Sequence, residues 1–537
     1  MFTPAQPWMA RPRPEEGGGG DQGAGRLPGL AIRWGFQGRV ARAGGWLVAL
    51  ILLVAWGCDS WGQVPEYRGF WVDAWGSELW TSANITKVVD DVRAGKMNMI
   101  VAQVRRRGDA LYASKFEPKC KDISASFDPL ADLVAKAHNT NAGPYVDVHA
   151  WIVTYHVHQG TNPPAQATHP LNLHPDWLLK DINGNLIIGN EYTFDPGHPG
   201  VQAHTFNVCM DIVTNYNVDG LNFDYIRYSS TSEGYNDVTV ARFNRLFNRT
   251  GVPSTSDTLW KQFRRDQVTG LLRKVYLNAI AVRPNIKISC DTITWAPGPT
   301  SDATWYSSAA AWNSVLQDWR GWMEEGILDI NIPMSYFRQA TYATDYLNWG
   351  NFAKDHKFNR HVVIGPGIYL NSVSEAIVQM RQTRSATATG KIAEGSCGYS
   401  FRVTNKDGVS RATFLGALTT ASSYDVVSPP IFDQAVPLPV MSWKSTPTKG
   451  HIKGFVYGGG TTNPLDGVRV TLSGTASRAQ TNDATGFYGF VDLSPGSYTV
   501  TATFGGFLSV TGMVTVPSGV VGTAYLLMPP FLQPMIT

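Results

Sequence analysis

The sequence contains little cysteine and almost no net charge. Its five cysteines are scattered over 537 residues, and no two of them have the C-x-x-C spacing of a metal or redox site. We therefore expect most of them to be small buried side chains. The net charge of +3 gives no reason to expect a nucleic-acid partner.

Long apolar runs are also scarce, and the clearest one lies near the N-terminus. Residues Trp46 to Trp56 are uninterruptedly apolar and follow several arginines; such a run is too short to span a membrane comfortably but is typical of a signal peptide. The sequence thus predicts a disordered start plus a signal peptide over residues 1–62. We expect an exported protein that is periplasmic, outer-membrane-associated or extracellular. Cleavage before Gln63 is one interpretation; lipidation of Cys58 is the other, which Trp56 disfavours.

The region from residue 66 onward alternates short β-branched or aromatic runs with longer segments of helical periodicity, which predicts repeated βα units. Eight strands are expected: Arg68–Ala74, Met97–Arg105, Tyr145–Val153, Gly220–Tyr225, Lys287–Thr292, Asp329–Tyr336, His361–Ile368 and Gly398–Val403. The clearest helices are Ile85–Ala94, Pro129–Asn139, Val201–Tyr216, Leu259–Val282 and Ala309–Glu325. Eight units favour an α/β fold, a closed (β/α)₈ TIM barrel over residues 63–424. An open doubly wound sheet is the alternative, but the glycine-rich phosphate loop that it needs after its first strand is missing.

The composition changes twice after the barrel. Residues 425–449 are rich in proline and predict an interdomain linker. Short alternating runs separated by turns then fill residues 450–537 and predict a small all-β immunoglobulin/transthyretin-like sandwich. Because this part shows no cluster of acids, bases or metal ligands, we expect a binding or spacing module.

Polar residues of one parity mark the ends of several predicted barrel strands. Alternate residues of a barrel strand face the lumen, and active sites lie at the carboxyl ends of the strands. By this parity, the residues expected to face the lumen are Trp71, Asp73, Gln103, Arg105, His149, Trp151, Asn222, Asp224, Ser289 and Asp291. Asp329, by contrast, opens its strand and is expected at the opposite pole, where carboxylates usually stabilise the fold.

Asp224 is the first candidate for a catalytic carboxylate because an apolar strand ends on it and Arg227 follows. Glycoside hydrolysis needs two carboxyl groups, about 5 Å apart for retention and about 6.5 to 9.5 Å apart for inversion. Asp73 and Asp291 have lumen parity and are candidates for the second group. Asp195 and Asp318 lie in segments that could reach the rim, and the sequence leaves the choice open.

No cofactor or metal is expected. The histidines of residues 149–174 lack an i, i+4 pair with a third ligand on the same helix face. The connection over residues 154–200 is longer than usual and is expected to form a wall of the cleft. The many aromatic residues, 18 Trp, 21 Tyr and 23 Phe, suit stacking against sugar rings, although large cores also use them.

Six ordered segments carry a resemblance to a known family. They are EYRGFWVDAW (66–75), NMIVAQVRRRGDALYASKFEP (98–118), DVHAWIVTY (147–155), VDGLNFDYIRYS (218–229), QDWRGWMEEGILDINIPMSY (317–336) and GIYLNS (367–372). Together they resemble the glycosyl hydrolase-like 10 family, TIM-barrel proteins exported by bacteria and related to a glycosidase of peptidoglycan strands stripped of their peptides. The C-terminal segment resembles the carboxypeptidase regulatory-like, transthyretin-type sandwich.

The resemblance implies a glycosidase fold with an acid at Asp224 and with Gln103, Arg105 and Arg227 around the sugar. We add His149, Trp151, Asn222 and Tyr336 as expected substrate-binding residues. The expected function is hydrolysis of a bacterial oligo- or polysaccharide by an exported monomer, associated with the cell envelope. Ser335 to Phe337 lack the acid that close relatives would carry, which motivates an alternative: a non-catalytic carbohydrate-binding or adhesion protein on a degenerate barrel.

Overall fold

A computed structural model describes residues 64–531. The predicted signal peptide and Cys58 lie outside these residues. The strands, numbered β1 to β19 in chain order, are Tyr67–Val72, Met99–Arg105, Asp147–Val153, His156–Gln159, Ile187–Ile188, Glu191–Thr193, Gly220–Asp224, Lys287–Thr292, Ile330–Ser335, His361–Pro366, Gly395–Gly398, Gly450–Gly458, Arg469–Ser473, Arg478–Thr481, Phe487–Leu493, Gly496–Thr503, Val510–Val516, Val521–Thr523 and Leu526–Met528.

The helices alternate with the barrel strands, as the βα pattern predicts. They are, numbered α1 to α13, Ser82–Ala94, Pro129–Ala137, Pro170–Leu173, Pro199–Asn215, Asp237–Phe247, Thr258–Val282, Asp302–Ser308, Ala310–Asn313, Trp319–Glu325, Gln339–Asp355, Val373–Thr383, Arg411–Thr419 and Ser442–Ser445. None of the helices within residues 64–531 is long and apolar enough to cross a membrane.

Eight parallel strands close the predicted barrel. Their order around the barrel is β1, β2, β3, β7, β8, β9, β10 and β11, with β11 paired to β1. Lumen-facing residues form a packed cluster that includes Trp71, Val101 and Trp151, whereas Phe70 and Ala150, of the opposite parity, pack in the larger cluster with the helices. The closed barrel is therefore confirmed, and its interior is filled by side chains.

Two predicted elements were wrong in detail. The eighth strand is Gly395–Gly398, not Gly398–Val403, because it is built of small residues and lacks the β-branched pattern. A Cβ at Gly395 would lie 2.0 Å from the carbonyl oxygen of Tyr67, so the close pairing with β1 requires glycine there. The predicted helix Ala309–Glu325 is two helices, α8 and α9, because Leu316 has a positive φ of 56° and Asp318 caps α9.

The proline-rich segment 425–449 packs against the N-terminal pole of the barrel. The carbonyl oxygen of Pro437 accepts a hydrogen bond from the backbone N–H of Glu66. Leu438, Met441 and Trp443 join the cluster that fills the lumen. This segment therefore covers the end of the barrel opposite to Asp224.

The C-terminal strands form the predicted small sandwich. One sheet has the order β14, β13, β16, β17, and the other is built around β12, which pairs with β15, β18 and β19. Most pairs are antiparallel, whereas β18 and β19 run parallel to β12. Asp466 of this domain binds Arg242 of α5 at 2.9 Å, and Asp492 binds Arg360 at 2.8 Å. The sandwich is thus joined to the barrel by partly buried ion pairs.

Candidate active site at the carboxyl ends of the barrel strands

Asp224 ends β7 and is 5% exposed. Its carboxylate accepts hydrogen bonds from the backbone N–H of Tyr225 at 2.7 Å and from the indole N–H of Trp151 at 3.2 Å. Burial raises the pKa of Asp224 to about 6, against the opposing effects of the positive charge of Arg227 and of these two hydrogen bonds. The group can therefore exchange a proton near neutral pH.

The chain turns sharply directly after Asp224. Tyr225 has a φ of 52°, a left-handed conformation that costs a bulky residue about 1–2 kcal/mol. The turn aims the N–H of Tyr225 at the carboxylate of Asp224. The ring of His156, from the long connection after β3, lies 4.1 Å from the ring of Tyr225 and supports it. Backbone strain of this kind is common at functional sites.

Asp291 lies beside Asp224 on the neighbouring strand β8. Asn222 pairs with Ser289 across the two strands, so Asp224 and Asp291, two residues further along, lie at one level on strands about 4.8 Å apart. One carboxylate oxygen of Asp291 accepts hydrogen bonds from Asn222 at 2.9 Å and from the indole of Trp71 at 3.1 Å. Burial, and then the charge of Asp224, raise the pKa of Asp291 well above its usual value. The pair disfavours double ionisation, as two neighbouring carboxylates must.

Asp73 differs from this pair because it has a cation of its own. Its carboxylate accepts the N–H of Trp75 at 3.1 Å and lies 3.3 Å from the guanidinium of Arg402. Burial raises the pKa of Asp73, and Arg402 opposes that shift. Asp73 therefore lies at the correct pole but is bound in an ion pair.

The other two candidate carboxylates have local structural contacts. Asp195 is fully buried and accepts the backbone N–H groups of Gly197 at 2.8 Å and Asn236 at 3.2 Å. Asp318 caps α9 by accepting the N–H of Gly321 at 3.0 Å. Of the four alternatives, Asp291 is the one whose pKa is raised by the charge of Asp224.

Aromatic side chains surround the two carboxylates. The rings of Tyr336 and Tyr399 lie 5.2 Å apart and are inclined by 28°. Both tyrosines are partly exposed, and the edges of Trp71 and Trp151 meet the ring of Tyr399 at 6.1 and 6.5 Å. The packing of Trp71 in the lumen depends on Gly365, where a Cβ would lie 2.4 Å from the indole. The rings form an apolar wall suited to a sugar face.

The predicted orientation of Arg105 was wrong. A β-bulge between Gln103 and Arg105 shifts the register with β3, so that Arg105 pairs with the outward-facing Ile152. Its guanidinium is 1% exposed and binds the buried carboxylate of Glu117 at 2.6 Å. Arg105 therefore lies behind the strand, away from the lumen.

Gln103 and His149 have packing contacts within the barrel. The side-chain oxygen of Gln103 accepts the N–H of Ala74 at 2.9 Å and fixes the chain after β1. His149 has no exposed surface, and its ring lies against Gly220. Its Nδ1 atom forms a hydrogen bond of 2.9 Å with the hydroxyl of Ser289. Both residues lie beneath the carboxylates, so the structure contradicts direct sugar contact by His149.

The sequence patterns missed two side chains at this pole, Tyr399 and Arg402. Tyr399 was the second residue of the misplaced strand Gly398–Val403 and was therefore not considered as a residue at a strand end. The observed strand end at Gly398 puts Tyr399 at the same rim as Tyr336. Arg402 follows in the next loop, and only its ion pair with Asp73 reveals it.

Comparison with known proteins assigns the barrel region to a family. The profile of the family described as Glycosyl hydrolase-like 10 matches residues 66–384, which is more than half of the chain. The chain belongs to this family. A Carboxypeptidase regulatory-like domain matches residues 451–526. Both resemblances seen in the sequence are thereby confirmed.

Among curated relatives, the Glycosyl hydrolase YngK of Bacillus subtilis (strain 168) is 25% identical over 300 residues, 53% of this chain and 55% of the relative. The Glycosyl hydrolase DigH of Escherichia coli (strain K12) is 26% identical over 279 residues, 48% of this chain and 58% of the relative. The chain thus spans little more than half the length of these relatives.

A similar solved structure is the PgaB (BpsB) glycoside hydrolase domain from Bordetella bronchiseptica, with 12% identity and a TM-score of 0.44, covering 67% of this chain and 100% of that one.

Proposed function

We propose that this protein hydrolyses glycosidic bonds of a bacterial glycan, with the glycan strands of peptidoglycan as the first substrate to test. The observation that carries this proposal is the pair Asp224 and Asp291: two buried carboxyl groups on adjacent strands, hydrogen-bonded by neutral donors and bordered by tyrosines. Membership of a glycosyl hydrolase-like family supports the carbohydrate class.

The different environments of the two groups favour different roles. Burial and the charge of Asp224 raise the pKa of Asp291, so that it can keep its proton and is the candidate general acid, which protonates the oxygen of the leaving sugar as the bond to the anomeric carbon breaks. Asp224 ionises near pH 6 and supplies the carboxylate that attacks this carbon. Water then cleaves the glycosyl ester and returns the proton to Asp291. The backbones of adjacent strands lie about 4.8 Å apart, so we expect the two carboxyl groups to be close enough for the roughly 5 Å separation of a retaining enzyme.

The test is release of new reducing ends from cell-wall glycan strands by the wild-type chain, with the anomeric configuration of the first product read by NMR. We expect retention of configuration. Asp224→Asn should abolish release, while Asp73→Asn, whose carboxylate is bound to Arg402, should retain more activity. Equal turnover by wild type and Asp224→Asn would overturn the assignment.

The alternative is a carbohydrate-binding or adhesion protein without catalysis. It is favoured by the end of β9, where Ser335 and Tyr336 stand in place of an acid, and by the burial of Asp291, which is 1% exposed. Calorimetric binding of glycan strands with no product after prolonged incubation would support this alternative.

Export by the predicted signal peptide is a second proposal. Mass spectrometry of the protein recovered from a bacterial host should find an N-terminus at Gln63 in the envelope or medium. A lipidated Cys58 would favour the other cleavage prediction, and an intact chain in the cytoplasm would contradict export.

A further inference from the structure

A small sheet in the connection after β3 contacts the turn that follows Asp224. This sheet has the strand order β4, β6, β5, and the first residue of β4, His156, is 5% exposed. The ring centre of His156 lies 4.1 Å from that of Tyr225, and the two rings are inclined by 47°. The left-handed turn that aims the N–H of Tyr225 at Asp224 therefore has a ring from another loop packed against it.

Glu191, the first residue of β6, lies against the ring of His156. One of its carboxylate oxygens is 2.7 Å from Nδ1 of His156. The other accepts a hydrogen bond of 2.8 Å from the guanidinium of Arg107, in the loop after β2. This guanidinium in turn lies 4.4 Å from the ring centre of Trp75, in the loop after β1. Groups from the connections after β1, β2 and β3 thus meet at the turn after β7.

At neutral pH the pair consists of a neutral imidazole and a carboxylate. Burial lowers the pKa of His156, against the opposing effect of Glu191, and the charges of two arginines, Arg227 and Arg107, lower it further. Against the opposing effect of burial, His156 and Arg107 lower the pKa of Glu191. A carboxylate beside Nδ1 favours the tautomer with the proton on this atom and orients the ring. His156 can therefore hold the ring of Tyr225 without bringing a charge to the catalytic carboxylate.

We propose that Glu191 and His156 are positioning residues for Asp224. Glu191 orients the ring of His156, and this ring holds Tyr225 in the left-handed turn whose N–H binds the carboxylate. The inference rests on the proposed function, in which Asp224 attacks the sugar. Without the His156 ring, Tyr225 can relax to the backbone conformations that a bulky residue prefers, and its N–H then turns away. Asp224 loses both a contact that fixes its direction and a donor that lowers its pKa.

The pKa of Asp224 is a direct readout of this turn. Burial raises it, whereas the charge of Arg227 and the N–H groups of Tyr225 and Trp151 lower it. The other ionisable groups that interact with Asp224 are Asp291, Cys290, Tyr225, Tyr336 and Tyr399. Neither positioning residue is among these groups, so its substitution should shift this pKa only through the turn.

The test is the pH profile of hydrolysis of cell-wall glycan strands by His156→Ala. We expect kcat to fall by about 10- to 100-fold, since a misplaced reacting group costs about this much, with KM little changed. The acid limb of kcat/KM should move up by about one pH unit, because Asp224 loses a donor to its charged form. His156→Phe, which restores a ring against Tyr225, should recover most of both losses.

Glu191→Ala should show the same changes in smaller size, since the ring of His156 remains but is no longer oriented. The double variant, with His156→Ala added, should be no slower than His156→Ala alone, because Glu191 acts through the ring. A further loss in the double variant would overturn the positioning role of Glu191.

His158→Ala is the matched control. His158 lies two residues further along β4, and its ring centre is 6.0 Å from those of His169 and Tyr192, both in the connection after β3. This variant should keep the kcat and the pH profile of the wild type. Equal losses in His156→Ala and His158→Ala, or an unshifted acid limb in His156→Ala, would indicate general loosening of the small sheet and overturn the inference.

Stability tests the inference without turnover. The difference in melting temperature between each protein and its Asp224→Asn variant changes with pH as the pair of Asp224 and Asp291 titrates. The midpoint of this change should lie about one pH unit higher in His156→Ala than in the wild type, and should be unshifted in His158→Ala. If His156→Ala does not fold, Glu191→Ala carries the same test with a smaller shift.

This measurement separates the inference from the proposed function. A shifted midpoint in His156→Ala, with no hydrolysis by the wild type, would contradict the proposed function and leave the positioning of Asp224 standing. Equal midpoints in His156→Ala and the wild type would overturn the inference, whatever the turnover.

Discussion

Buried carboxylates lie at both poles of the barrel, but Asp329 at the N-terminal pole is neutralised differently from Asp224 and Asp291 at the C-terminal pole. At the N-terminal pole, Asp329 lies 3.0 Å from the ammonium of Lys444 and accepts the indole N–H of Trp443 at 2.7 Å. At the C-terminal pole, Asp224 and Asp291 receive only neutral N–H donors. Carboxylates that stabilise a fold are paired with cations. Carboxylates that take part in chemistry have no such partner and can still gain or lose a proton.

The largest expected change in stability comes from breaking the N-terminal pair. Asp329→Asn leaves the ammonium of Lys444, 8% exposed in its side chain, without its carboxylate. Breaking a buried pair in this way costs about 3–5 kcal/mol, to be measured as the free energy of unfolding in denaturant. An unchanged value would show that the two poles do not differ as described.

A somewhat smaller effect is expected on catalysis at the C-terminal pole. Asp291→Asn keeps an oxygen that accepts from Trp71 and Asn222 but loses the transferable proton. General acid catalysis contributes about 10²- to 10⁴-fold, so kcat/KM should fall by at least about 100-fold, which is about 2.7 kcal/mol. The free energy of unfolding should change little. If Asp291→Asn turned over as fast as the wild type, Asp291 would have no role in the mechanism.

The next prediction concerns the pH dependence of the free energy of unfolding, which should distinguish the two poles. Burial raises the pKa of Asp224 to about 6, above the unfolded value of about 3.9. The folded state therefore binds this proton more tightly, and the stability that the proton contributes is complete below about pH 4 and is lost as the pH rises through about 6. At 1.36 kcal/mol per pKa unit the loss is about 3 kcal/mol.

Asp224→Asn removes this contribution together with the part of the Asp291 shift that the charge of Asp224 causes, while buried carboxyl groups remote from Asp224 titrate equally in both proteins. The variant should be about 2 kcal/mol more stable than wild type at pH 7, the amide having weaker hydrogen bonds than the carboxylate, and the difference should shrink towards pH 4. Denaturant unfolding at several pH values measures it. A variant less stable at pH 7 than wild type would contradict the raised pKa.

The smallest effect is expected where the barrel meets the sandwich. Asp466→Asn removes the carboxylate shared by Arg242 and by Arg245, whose side chain is half exposed. Because Arg242 also donates to Gln267 at 3.0 Å and to the carbonyl oxygen of Gly197, about 1 kcal/mol is expected. Hydrogen exchange of α5 should increase, whereas turnover should be retained.

The barrel was predictable from the sequence because periodicity and parity report local geometry. The alternation in β3 correctly placed Trp151 in the lumen, and the position of Asp329 at the start of the predicted strand Asp329–Tyr336 correctly placed it at the opposite pole. The bulge before Arg105 could not be seen, since one extra residue leaves no mark on composition. The eighth strand was misplaced because its glycines are required by the close contact with β1, which is distant in sequence.

The site was only partly predictable for the same reason. Strand parity brought Asp224, Asp291 and Asp73 to one pole, but their differences depend on partners from elsewhere in the chain. Arg402 pairs with Asp73, while Trp71 and Asn222 bind Asp291. These contacts exist only in the folded protein, so the choice of the second carboxylate required the structure.

The most direct measurement is glycan turnover per folded molecule for Asp224→Asn and Asp329→Asn, assayed side by side with wild type. Two substitutions of the same kind are thereby compared at opposite ends of one barrel. We predict that Asp224→Asn is fully folded and inactive, while Asp329→Asn is less stable but turns over normally for the fraction that is folded. Active Asp224→Asn, or folded but inactive Asp329→Asn, would contradict the assignment of chemistry to the C-terminal pole.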